Sequence, residues 1–241
     1  VEVRTKHDHI SRIIKNGKVL FEQPDLQVEI SGDKSQLNLK DILEFADTVN
    51  LEDVRELLET QISYNTAIAE EGLNNFWGAS VGRTILDAEP GSTLQRARAA
   101  AAAGSDARMN GCALPVVINS GSGNQGITCC MPIVVYARDL GCSHEQLLRA
   151  LTLSNLISIH QKRFIGNLSA YCGAVSAGTA AACGIAYLQG ADYDVIGTTI
   201  VNAVGTTGGI ICDGAKSSCA SKISASVEAG VLGYEMARRG R

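Results

Sequence analysis

Hydrophobic and polar residues alternate at the start of the chain and then change period. Val1-Glu2-Val3-Arg4 alternates, and Asn16-Gly17 separates Ile13-Ile14 from Val19-Leu20-Phe21, the pattern of a tight β-hairpin. A hairpin alone is marginal, so its other strands are expected in sequence outside these residues. The polar stretch Ser31-Gly32-Asp33-Lys34-Ser35-Gln36 marks a boundary between residues 1–37 and 38–241. Beyond it the period is helical. Asn38 caps a predicted helix running through Val49. Asn50, with Asp53 three residues on, starts another that carries Val54, Leu57, Leu58 and Ile62 on one face and stops at Gly72.

Composition sharpens this picture. Hydrophobics are 45% of the 241 residues but aromatics only 5%, so the core must be built from Ala, Leu, Ile, Val and closely packed small residues. That predicts a mainly α, small-residue-rich helical domain. The uncharged run Phe164–Ala191 contains 16 Ala, Gly, Ser or Thr residues and only six Leu, Ile, Val or Phe. It therefore reads as a buried helix packed backbone to backbone, and no membrane partner is expected. Net charge is −4, and residues 1–60 hold 13 acids against 8 bases. No nucleic-acid partner is expected from that balance. The opening Val1-Glu2-Val3-Arg4 lacks a Met and an apolar leader, which reads as a cytoplasmic protein and as a piece of something longer.

Chemistry concentrates in the second half of the chain. Asn119-Ser120-Gly121-Ser122-Gly123-Asn124-Gln125-Gly126 has the spacing of a dinucleotide fingerprint. The context opposes that, because Pro115-Val116-Val117-Ile118 is a short strand at best and no βαβ alternation follows. What remains is a glycine loop opening a helix, whose N–H groups suit a carboxylate or a phosphate, or which is a plain capped turn.

All eight cysteines lie between 112 and 219. Cys172 and Cys183, eleven residues apart on one predicted helix, are separated by about 16 Å along its axis and cannot share a metal ion. Cys112, Cys129, Cys130, Cys142 and Cys183 read as core thiols. Cys212 and Cys219 come together only if a helix starts near Asp213, with Asp213 as its cap and Cys212 folding back from the preceding loop. Lys216 near that helix start opposes the dipole, which points to a task such as lowering a thiol pKa. His7 and His9 alternate on the hairpin and read as exposed. His144 fits a helix start, and His160 a helix end.

Four segments together resemble the iron–sulfur L-cysteine desulfidase family, kin of the serine dehydratase alpha chain: Ser105-Asp106-Ala107-Arg108-Met109, Asn119 to Thr128, Ser169-Ala170-Tyr171-Cys172-Gly173-Ala174, and Ile211 to Ala220. The resemblance extends from Asn38 over nearly the whole chain, and the hairpin fits that family's middle region, a remnant of a preceding α/β part. It implies a [4Fe–4S] cluster held by Cys172, Cys212 and Cys219, and β-elimination from L-cysteine or L-serine. Ser120, Gly121, Ser122, Asn124 and Gln125 would hold the substrate, with Asp106, Arg108 and Lys216 orienting it.

Two departures qualify the resemblance. The family's Leu-Gly-Cys-Thr-Glu-Pro motif, whose cysteine is thought to be the catalytic base, is absent from these residues, so the catalytic residue is unknown. The family also continues past Arg241. The chain is therefore expected to be the cluster-binding C-terminal portion of a larger enzyme, inactive alone, with the missing N-terminal segment as a partner and a homo-oligomer allowed by its glycine-rich helices. A structural thiol or zinc protein, and an anion binder built on the glycine loop, are the alternatives.

Overall fold

The computed structural model describes residues 1–4, 9–26, 33–166 and 169–241. His7 and the Ser31-Gly32 start of the polar boundary lie outside them. Strands β1 (Glu2–Val3), β2 (Ile10–Lys15) and β3 (Lys18–Glu22) form an antiparallel sheet in sequence order. The turn between β2 and β3 uses left-handed Asn16 (φ 51°) and Gly17 (φ 77°), the two-residue solution that matches strand twist. His9 is buried rather than exposed: its Nε2–H donates to the Pro24 carbonyl (3.1 Å), and Gln23 Nε2 donates to its Nδ1 (3.3 Å).

The helices are α1 (Leu39–Thr48), α2 (Glu52–Asn74), α3 (Val81–Ala88), α4 (Thr93–Met109), α5 (Gly123–Leu140), α6 (His144–Ile165), α7 (Gly173–Leu188), α8 (Tyr193–Thr207) and α9 (Ser218–Ala237). The predicted mainly α class is what the structure has. Asn38 caps α1 by accepting the Asp41 N–H at 3.0 Å, as its position predicts. The start of α2 differs from expectation, since Leu51 occupies the cap position and Asn50 Oδ1 accepts only the Glu52 N–H, at 3.3 Å. Leu57 is 64% exposed, so the buried face of α2 runs instead through Leu58, Gln61, Asn65, Ile68 and Gly72.

Gly72 does not end that helix. It lies where α2 crosses α4, and a Cβ there would sit 2.0 Å from the Ala103 carbonyl oxygen. The same device joins α7 to α9. A Cβ on Gly178 would meet Ser226 Oγ at 2.5 Å, and one on Gly230 would meet the Gly178 oxygen at 2.7 Å. The core is accordingly rich in alanine, with Ala99 to Ala103 on α4 and Ala180 to Ala182 on α7 all buried. Within the uncharged run, the helix occupies Gly173–Leu188. Among the described residues no helix is long and apolar enough to cross a membrane.

These contacts separate two kinds of glycine. Gly72→Ala should destabilise the protein by about 1–3 kcal/mol through overpacking. Gly205→Ala, inside α8 with nothing within 4 Å, should stabilise it by about 0.5–1 kcal/mol. Urea unfolding of the two variants measures both signs.

Candidate functional site

The glycine loop is positioned by side chains distant in sequence. Residues 115–118 form neither helix nor strand. Instead the Asn65 amide holds the Val117 backbone at both ends, accepting its N–H at 3.0 Å and donating to its carbonyl at 3.4 Å. The Val117 oxygen lies so close to α5 that a Cβ on Gly126 would be 1.9 Å away, so this third glycine of the motif serves packing. One residue further, Asn119 Nδ2 donates to Asn155 Oδ1 (2.9 Å), and Asn155 Nδ2 donates to Gln61 Oε1 (2.8 Å). Gln61, Asn65 and Asn155 were not singled out by sequence; their only signal is amides on otherwise apolar helix faces.

The loop then reverses in two residues. Asn119 and Ser122 exchange backbone hydrogen bonds (3.1 and 3.0 Å) around left-handed Ser120 (φ 49°) and Gly121 (φ 84°). Ser122 Oγ caps α5 by accepting the Gln125 N–H at 3.4 Å. Gly123 leaves room for Arg108, since a Cβ there would lie 2.3 Å from Arg108 Nε. Arg108 Nη1 donates to Asn124 Oδ1 at 3.3 Å. Gln125, 1% exposed, packs against Gly173 at the first turn of α7, and its Nε2 finds no partner among the described residues.

Two predicted substrate residues are engaged elsewhere. The Asp106 carboxylate accepts the Gly82 N–H at 3.1 Å and so caps α3, whose own Ser80 supplies no side-chain cap. Burial pushes the Asp106 pKa up to about 6, against the N–H groups of Gly82 and Val81. Lys216 pairs with Asp213 at 2.8 Å.

Cys172, Cys212 and Cys219 do converge. Cys172 occupies the cap position of α7. The Cys212 N–H donates to the Ala170 carbonyl at 2.6 Å, and Tyr171 and Ile211 form an antiparallel bridge, which ties the α8–α9 loop to the start of α7. Cys219 is the second residue of α9, which begins at Ser218 rather than at Asp213. Asp213 caps nothing; Lys216 and Lys222 hold its carboxyl well below the usual range. Burial raises the Cys172 thiol pKa, opposed by the Val175 and Ala174 N–H groups, while Cys212 and Cys219 are close enough to act on its charge.

Three cations ring these thiols. Arg108 feels the charge of Cys219, Lys162 that of Cys172 and Cys212, and Lys222 that of Cys172 and Cys219. Lys162 was not singled out by sequence. No three His, Cys, Asp or Glu among the described residues are grouped tightly enough for a single metal ion. Thiolates on one tetrahedral zinc would lie about 3.8 Å apart, at about 2.3 Å from the metal. Thiols are soft donors, the class that holds iron–sulfur clusters as well as zinc. Burial pushes Cys129 up to about 12 and raises Cys130 and Cys183 strongly, as expected for core thiols. A largely apolar cavity of about 410 Å³ opens beside Cys172, walled by Phe164, Val175, Ile200 and Val204.

The sequence model of the serine dehydratase alpha chain family matches residues 7–241. The chain belongs to that family. This relates it to lyases of the dehydratase type. It is 53% identical over 98% of its length to a UPF0597 protein of Desulfitobacterium hafniense, covering 55% of that protein. It is 48% identical over its whole length to a UPF0597 protein of Finegoldia magna and 50% identical to one of Lachnoclostridium phytofermentans, covering 58% of each. The chain thus spans little more than half the length of these relatives. No solved structure gives a significant match.

The buried Asp106 gives this family member a pH signature. With its folded pKa raised to about 6, the native state holds the proton more tightly than the unfolded chain. Stability from this group should therefore fall as pH rises from about 4 to about 6 and level off above, by at most about 3 kcal/mol. Asp106→Asn should flatten that slope and raise stability at neutral pH, as read by urea unfolding across this range.

Proposed function

We propose that the chain is the cluster-binding part of an iron–sulfur lyase. The reaction is β-elimination from a small L-amino acid: L-serine gives pyruvate and ammonia, and L-cysteine with one water gives pyruvate, ammonia and hydrogen sulfide. The observation that carries this reading is the convergence of three thiols, drawn from two helix N-termini and a loop, beside a glycine turn that opens a third helix. Cys172, Cys212 and Cys219 would hold a [4Fe–4S] cluster. When bound, a cubane with three protein thiolates keeps one iron open, as a Lewis acid toward the substrate carboxylate and the β leaving group.

The chain's own groups bind and orient. The start of α5 favours an anion, because the Gly123 and Asn124 N–H groups stay open there while those of Ser122 and Gln125 are taken, and the helix dipole adds its positive end. Ser120, Gly121 and Ser122 shape that turn, and Asn124 and Gln125 supply amides at its base. Arg108, held against Asn124, adds a cation on the same side. The proton on Cα goes to a base that the family resemblance puts on a motif these residues lack. Cysteine and serine differ at the leaving group alone, and the apolar walls next to Cys172 accept either.

Anaerobic reconstitution with iron and sulfide tests the reading. The chain should turn brown and take up about four irons, and each of Cys172→Ser, Cys212→Ser and Cys219→Ser should lose them, whereas Cys183→Ser should not. Iron uptake indifferent to those three substitutions, or a preference for a single zinc ion, would overturn the proposal.

A further inference from the structure

Helices α6 and α8 both pack on α7, but among the described residues their backbones do not approach one another. Between them lies the cavity of about 410 Å³ that opens beside Cys172. Its floor is one face of α7, where Cys172, Val175, Ser176 and Thr179 recur at three- and four-residue steps, and all four side chains are small. Ile200 and Val204 of α8 form one wall, and His160, Gln161 and Phe164 of α6 form the other. The Phe164 ring is held in place on both sides, meeting His160 edge to face at 5.2 Å and lying 4.5 Å below the Arg163 guanidinium. Among the described residues no Asp, Glu, Lys or Arg lines this space.

Three of the lining residues carry a polar atom that is buried without a hydrogen-bond partner among the described residues: His160 Nδ1, Gln161 Nε2 and Thr179 Oγ1. Thr179 is the most informative of them. A helical threonine can satisfy its hydroxyl on the carbonyl four residues back. Thr128, Thr152, Thr199 and Thr207 all do so in this chain, at 2.7, 2.9, 2.8 and 2.8 Å. Thr179, only 1% exposed, leaves the Val175 carbonyl alone. A buried polar group without a partner costs stability, so three around one cavity call for a guest that completes them. Burial and then the Arg163 charge lower the His160 pKa, which keeps its ring neutral at pH 7. Gln161 Nε2 can only donate, whereas the Thr179 hydroxyl and a neutral imidazole can donate or accept. The matching group is neutral, both accepts and donates, and sits on an apolar body.

We propose that this cavity binds a small aliphatic carboxamide, with the hydrocarbon chain along Val175, Ile200 and Val204 and the amide at His160, Gln161 and Thr179. The volume is that of a small-molecule site. Thr179 lies seven residues, about 10.5 Å along the axis of α7, from Cys172. The β substituent of serine or cysteine, a single heavy atom beside Cys172, would leave most of this length empty. The assignment stands apart from the β-elimination reading, since it uses neither a cluster nor a base.

The test is an NMR titration of this chain at pH 7 with acetamide, butanamide and hexanamide. Each methylene added to the amide should tighten binding about fourfold until the cavity is filled. Hexanoate, of the same length, should bind at least tenfold more weakly than hexanamide, because its charge would enter an apolar space with no cation in the lining. Val204→Trp, at a partly exposed position of the wall, should fill the cavity and abolish binding. Val201→Trp, on the same helix but outside the lining, should bind as the wild type does. Thr179→Val keeps the shape and removes the hydroxyl; it should weaken hexanamide about two- to tenfold, yet without ligand it should unfold at a temperature no lower than the wild type.

The same affinity for all three amides, tighter binding of hexanoate than of hexanamide, or no saturable binding of hexanamide by the wild-type chain would overturn the assignment. So would unchanged hexanamide binding in either Val204→Trp or Thr179→Val. A Thr179→Val chain that unfolds well below the wild type would overturn it too, because the hydroxyl would then serve the fold.

Discussion

Everything at this site depends on the close approach of α7 to its neighbours through residues without bulk. Gly178 and Gly230 let the backbones of α7 and α9 touch, and Gly173 lets Gln125 of α5 reach the first turn of α7. Helices packed through leucines would keep their axes 8–10 Å apart. Here the small residues bring the starts of α5, α7 and α9 to one end of the domain. Cys172, Cys219 and the glycine turn are together because the helix interiors permit it. The scarcity of aromatic side chains follows from the same requirement.

Helix N-termini carry partial positive charge and unpaired N–H groups. Arg108, Lys162 and Lys222 add whole charges to the same end, where the Asp213 carboxylate is shared between Lys216 and Lys222. The region is therefore electropositive in a chain whose net charge is −4. The acidity of the first 60 residues has no part in this, since it decorates other elements.

What was legible in the sequence was local. Asn16-Gly17 dictated a turn, Asn38 a cap, and the alanine- and glycine-rich runs a helical core, because each acts within a few residues of itself. The three cysteines were legible as a set through motif resemblance. Expectations failed where a residue's partner lies far along the chain. Gly72 looked like a stop but makes room for Ala103. Asp213 looked like a cap but pairs with two lysines, the farther on α9. Asp106 gave no local sign that it accepts an N–H at the start of another helix, at Gly82. The amides of Gln61, Asn65 and Asn155 connect positions 36 to 94 residues apart, and no periodicity announces such a pairing. Lys162 carried no motif, and only its burial makes it conspicuous.

The bond from Cys212 to Ala170 and the bridge from Ile211 to Tyr171 close a loop of about forty residues that contains all of α7 and α8. Closing a loop of that length carries an entropic cost repaid only after the enclosed helices have packed. The three thiols can therefore meet only once α7 and α8 have packed, and a chain whose helices are still apart keeps its cysteines apart as well.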